Sequence, residues 1–164
     1  MNTYKQQNKE FFMSKAILQA NVSLKKGEVP IGAVIINEHG EILARAHNTI
    51  EQSQCQTAHA EVKAIQKASK IRGDWRLNGC LIYVTLEPCL MCMGLIQLSR
   101  IDGVIFGADS TLFGYRLTHT RSMPSYAKNL KIEGGIKAEE CTALLQAFFK
   151  SLRKKRKESS ETTS

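Results

Sequence analysis

Acidic residues are scarce in this chain: 15 Asp and Glu stand against 23 Lys and Arg, a formal net charge of +8 over 164 residues. Also missing is any run approaching the roughly 20 apolar residues that a membrane-crossing helix needs. The polar start, Met1-Asn-Thr-Tyr-Lys-Gln-Gln-Asn-Lys-Glu10, reads as neither a signal peptide nor a transit peptide, so the expected location is cytoplasmic. Cysteines number five, an odd count that suits no disulfide framework. Cys55, Cys80 and Cys141 are expected to be free thiols in a reducing compartment. The scarcity sharpens locally, because between Cys55 and Cys92 the only His is His59 and the only Asp is Asp74. Few groups there can do acid–base or metal chemistry.

Those present are grouped. Thr57-Ala-His59-Ala-Glu61 and Glu87-Pro-Cys89-Leu-Met-Cys92 together offer three metal ligands and one spare carboxylate. Two thiolates and a neutral imidazole suit borderline-soft Zn²⁺, and three protein ligands leave its fourth tetrahedral position to water, whereas a structural zinc is closed by a fourth protein ligand. The ion would lower the pKa of that water towards roughly 7. Glu61, two residues from His59, is the carboxylate placed to act as general acid and base. Taken singly, each motif has a plain explanation. Cys-x-x-Cys also serves redox pairs, half-sites of structural zinc and buried cores, and a helical His or Glu is usually just solvated. The conjunction is what signifies, since His-x-Glu followed by Pro-Cys-x-x-Cys is the signature of zinc nucleobase deaminases.

The chain, 43% apolar, is the size of one domain and able to bury a core. Helices are expected over residues 11–26, about 58–72, 89–99 and 138–156, and strands over 31–36, 41–46, 80–86, 104–108 and 130–133, with 109–129 as loop. This places His59 in the first turn of one helix and Pro88 at the opening of another, where a missing N–H costs nothing. Residues two apart on a helix point to nearly opposite sides, so His59 and Glu61 share a metal most easily where the helix begins. The fold class is a layered α/β domain over 1–152, followed by a basic and then polar tail over 153–164.

Val29-Pro-Ile-Gly-Ala-Val34, Asn48, Thr57-Ala-His59-Ala-Glu61, Tyr83-Val-Thr-Leu-Glu-Pro-Cys-Leu-Met-Cys92, Ser99-Arg-Ile101 and Phe106-Gly-Ala108 resemble the bacterial tRNA-specific adenosine deaminases. The resemblance runs from about Gly27 to Ala108 and is looser towards both ends. It implies a three-layer α/β/α, cytidine-deaminase-like fold around a mixed sheet of about five strands. It also implies a homodimer, one Zn²⁺ per subunit on His59, Cys89 and Cys92, and hydrolysis of adenosine to inosine at the tRNA wobble position, with an arginine tRNA of anticodon ACG as the expected substrate. Asn48 would hydrogen-bond the flipped nucleoside, and Ile31 and Leu86 would line its pocket. The chain departs from the family at Cys55-Gln56, where Asp-Pro is usual, at Ser110, where Asp is frequent, and through residues 113–129.

Residues 150–164 hold six Lys or Arg against two Glu, half of the whole surplus. They read either as a phosphate-binding arm or as a solubilising end; residues 158–164 read as disordered. Arg116, His119 and Arg121 make the preceding loop a candidate RNA contact, or simply a solvated loop. Three other functions share parts of the pattern: a deaminase of free guanine, cytosine or cytidine, a non-catalytic zinc and RNA-binding module, and a Cys89/Cys92 redox protein.

Overall fold

The computed structural model describes residues 6–117 and 130–161, so His119, Arg121 and Pro124 lie outside the described residues. Five strands form one mixed sheet in the order β2-β1-β3-β4-β5: Gly32–Ile36 (β1), Ile42–His47 (β2), Leu81–Leu86 (β3), Gly103–Ala108 (β4) and Lys131–Glu133 (β5). β1 runs antiparallel to both neighbours, while β3, β4 and β5 are parallel. The helices are Gln6–Lys25 (α1), Ile50–Ser53 (α2), Ala60–Arg72 (α3), Leu90–Leu98 (α4) and Ala138–Glu161 (α5).

Side-chain alternation along β1 builds three layers. Ala33 and Ile35 join Ala64, Ile65, Met93 and Ile96 beneath α3 and α4. Val34 and Ile36 join Phe12, Met13, Ala16 and Cys141 beneath α1 and α5. Every residue of β1 and β4 is buried, as strands covered on both faces require. In α3, Val62, Ile65 and Ala68 recur at helical spacing against the sheet. Gly73 ends that helix in the left-handed region (φ 71°), its N–H returning to the Ser69 carbonyl.

The strands fall within a residue of their expected bounds, but two helices are longer. α1 begins at Gln6, and α5 runs through the basic stretch and into the polar run expected to be disordered. Lys, Arg and Glu are good helix formers, and the exposed Lys154–Glu158 pair at 3.9 Å adds weak i,i+4 support. All five cysteines are free. Among the described residues no helix is long and apolar enough to cross a membrane.

Candidate metal centre

Two helix starts converge at one end of the sheet. His59 is the N-cap of α3 (φ −70°, ψ 150°) and Cys89 the N-cap of α4 (φ −71°, ψ 169°), and neither side chain caps its own helix. Each sits one step earlier than expected, with Pro88 wholly outside α4. The extended backbone of a cap residue turns its side chain away from its own helix, which is how two ligands on separate helices meet. His59 Nδ1 lies 3.5 Å from Cys92 Sγ and 3.8 Å from Cys89 Sγ. The three donors lie within 4.8 Å of one another. Zn–S bonds of about 2.3 Å and Zn–N bonds of about 2.0 Å make tetrahedral edges of roughly 3.5 to 3.8 Å, so the spacing fits the ion.

The donors' protonation fits it too. A hydrogen bond from Cys92, resisted by burial and aided by His59, pulls the Cys89 thiol down to about 4. The same bond, with burial, pushes the Cys92 thiol up. A bound cation would favour the thiolate form of both cysteines. The bond to Cys89 also raises the His59 imidazole. Glu61 is 4% exposed, and burial raises its carboxyl above the ordinary range. Glu61 Oε2, His59 Nε2 and Asn48 Oδ1 are buried without a hydrogen-bond partner. Such orphans cost about 1–3 kcal/mol each unless a ligand satisfies them.

A polar frame fixes Asn48 beside the trio. Its N–H donates to the Ile31 carbonyl at 3.0 Å, and the next N–H, of Thr49, donates to the Ala58 carbonyl at 3.0 Å, adjoining His59. Ser23 Oγ donates to the Asn48 carbonyl at 2.9 Å. Thr49, the N-cap of α2, makes no capping bond of its own. The buried Glu28 carboxylate does that work, accepting from the N–H groups of Glu51 (3.2 Å) and Gln52 (2.7 Å). Sequence reading missed Ser23 and Glu28; an acidic residue just ahead of a wholly apolar strand was the available signal. Ile31 is half-buried against the α3/α4 side of the core. Leu86, also half-buried, packs against the α1/α5 side, so the structure does not bring these two side chains together.

The family model of the cytidine and deoxycytidylate deaminase zinc-binding region matches residues 6–108. A curated relative from Bacillus subtilis (strain 168), named tRNA-specific adenosine deaminase, is 47% identical over 90% of this chain and 92% of its own length. The chain belongs to this deaminase family. A solved structure from studies of A-to-I editing by tRNA:A34 deaminases at the wobble position is 34% identical, covers 82% of this chain and 99% of its own, and superposes with a TM-score of 0.76. A guanine deaminase structure from Bacillus subtilis is 33% identical over 80% of this chain and 83% of its own, with a TM-score of 0.62. Zinc is the cofactor, as the family's zinc-binding region and the His–Cys–Cys cluster together indicate.

In this deaminase the residue before Pro88 has a task that sequence reading did not give it. Glu87, 3% exposed, accepts from the N–H groups of Ser110 (3.1 Å) and Arg116 (3.3 Å). It also takes both arms of the Arg116 guanidinium, Nε at 2.9 Å and Nη2 at 3.1 Å. Arg116 reaches on to Asp109 and lies over the Phe106 ring at 5.1 Å. This latch draws residues 109–117 against the metal centre, where Tyr115 N–H donates to the Pro88 carbonyl and Gly114 bridges Cys89. A Cβ at Gly114 would stand 2.6 Å from the Glu87 carboxylate, so only glycine fits. Arg116, in the loop read either as an RNA contact or as simply solvated, is held by carboxylates.

Proposed function

We propose that this chain hydrolyses the 6-amino group of the wobble adenosine in a tRNA anticodon, taking up water and releasing ammonia and inosine, with His59, Cys89 and Cys92 holding zinc. The observation that carries the reading is a buried carboxylate, Glu61, beside a three-donor metal cluster, in a chain 47% identical to a tRNA-specific adenosine deaminase. When bound, zinc supplies the Lewis acidity that makes water acidic near neutral pH. Glu61 would carry two protons in turn from the attacking water, the first to adenine N1 and the second to the amine, which leaves as ammonia. Its burial suits the role, because a carboxyl raised above its ordinary range both accepts and returns a proton.

Asn48 gives its unpartnered carbonyl oxygen to a hydrogen-bond donor of the flipped nucleoside. Ile31 forms the apolar wall on its side, while Leu86, packed towards α1 and α5, stands apart from it. An arginine tRNA with an ACG anticodon is the substrate we expect, in the cytoplasm. Two copies associate through the open groove of about 670 Å³ between α3 and α4, where Val62, Ile65, Trp75, Leu95 and Leu98 line an apolar surface. Residues 153–164 form a basic arm beyond the domain core.

A substrate panel tests the activity. The purified zinc protein is incubated with the ACG anticodon arm, free adenosine and free guanine, and the products are read by mass. Inosine in the RNA arm alone is the expected outcome. Xanthine from guanine, with the RNA unchanged, would replace this reading with a free-base deaminase.

A further inference from the structure

A second charged feature starts at the mouth of the site, and among the described residues none of its cations is ion-paired. Lys63 follows His59 by one turn of α3, its N–H donating to the His59 carbonyl at 3.1 Å. Its ammonium donates to Thr49 Oγ1 at 2.8 Å, beside Asn48. Lys67, one turn further on, donates to the Arg45 carbonyl of β2 at 2.9 Å. Lys26 Nζ lies 3.2 Å from His47 Nε2 on the same edge strand. Arg45, Lys26 and Lys67 are exposed, while His47 and Lys63 are half-buried. Among the described residues, no carboxylate lies within ion-pair distance of any of these cations. Glu28, the acid that shares the corner, is 1% exposed and turned to the N–H groups of Glu51 and Gln52.

The charges repel one another. Burial first, and then Lys26, Lys63 and Lys67, lower the His47 imidazole; burial first, and then Lys67 and Lys26, lower the Lys63 ammonium; Glu28 opposes both shifts without reversing either. An anion from outside would relieve the repulsion that remains. Lysines on an exposed edge strand also guard against sheet-to-sheet pairing. That purpose explains Arg45, which stands on the edge strand. It does not explain Lys26 and Lys63, which stand on other elements and converge on the site mouth.

We propose that Lys26, Lys63 and Lys67, with Arg45, form a track for the backbone phosphates of the RNA strand flanking the flipped nucleotide. The inference rests on the tRNA reading above and assigns a binding surface to it. A base that enters the pocket beside Asn48 must leave its sugar–phosphate chain outside, and the track begins where that chain emerges. Ammonium groups two to three strong contact such a backbone without reading sequence, so the track supplies affinity and orientation rather than choice of base.

The test is the salt dependence of binding by the full zinc protein to a labelled anticodon-arm RNA. The triple variant Lys26→Gln, Lys63→Gln, Lys67→Gln is compared with the wild type and with a control double variant, Lys15→Gln, Lys131→Gln, which removes charge from α1 and from the opposite edge strand. Each lost phosphate contact lowers the slope of log K against log salt by about 0.7 to 0.9, so the triple variant is expected to lose about 2 units of slope. Low-salt affinity should fall at least tenfold, in KM rather than in kcat, with the control near the wild type. A triple variant whose slope matches that of the control overturns the track, while RNA deamination by the wild type keeps the tRNA reading intact. A wild type that turns over free guanine but no RNA overturns both.

Discussion

Glu61 is buried with one oxygen unpartnered, beside a His–Cys–Cys cluster whose ligand atoms lie within 4.8 Å of one another. Asn48 is in the same state, and both orphans identify side chains held ready for a ligand. Replacing Asn48 by Ala should lower kcat/KM for the anticodon arm by about 5- to 30-fold, the loss of one or two kcal/mol of hydrogen bonding, with zinc content unchanged. Cys89→Ala should lose the metal, because a His and one thiol cannot hold a three-donor site; elemental analysis of the purified variant checks this. The ligands and Glu61 were legible in the sequence because ligand chemistry imposes residue type and spacing together. Asn48 was reached only through family resemblance, since nothing in an isolated Asn says that its carbonyl is unpaired. Glu87 stood in plain view two residues ahead of the Cys-x-x-Cys motif, yet its work depends on Arg116, brought to it by the fold from 29 positions away.

The elements show the same contrast between local and distant causes. β1, β3 and β4 were legible because a doubly covered strand must be apolar throughout. α2 was not, because its four residues are capped by Glu28, more than twenty positions earlier. The latch on residues 109–117 depends on one carboxylate and is therefore sensitive to acid. Burial opposes the charge on Glu87, but the Arg116 guanidinium and the N–H groups of Ser110 and Arg116 outweigh it and hold the carboxyl below its ordinary value of 4.5. The unfolded chain thus binds a proton before the folded latch does. The latch's contribution is fully present above the ordinary value and disappears as pH falls through the depressed one. The protection of the Ser110 and Arg116 amides, expressed relative to intrinsic exchange at each pH, should fall on acidification in the wild type and be low throughout in Arg116→Ala. That variant should also lose about 2 kcal/mol of stability, since it strands a buried carboxylate whose partner was half exposed.

At the scale of the molecule, the sheet delivers two helix starts and the Asn48 turn to one end, and the charge surplus surrounds that end and the C-terminal helix. A layered α/β architecture could be anticipated from alternating elements, but the open face between α3 and α4 could not, because nothing in the sequence marks Trp75 and Leu98 as the more than half exposed residues that the structure shows. Leu98→Glu should convert a dimer to a monomer in sedimentation equilibrium; an unchanged mass would place the dimer contact elsewhere. Ending the chain at Leu152 removes five of the Lys and Arg residues beyond the core. It should weaken RNA binding at low salt about tenfold and leave turnover at saturating RNA as it was.

The central claim joins a metal site to one proton-carrying side chain acting on one nucleotide. Mass analysis of the ACG anticodon arm after incubation with wild type and with Glu61→Gln, at matched zinc content, tests it most directly. The account expects inosine from the wild type and a rate at least 100-fold lower from the variant, which keeps its zinc. Equal inosine from both proteins would contradict it.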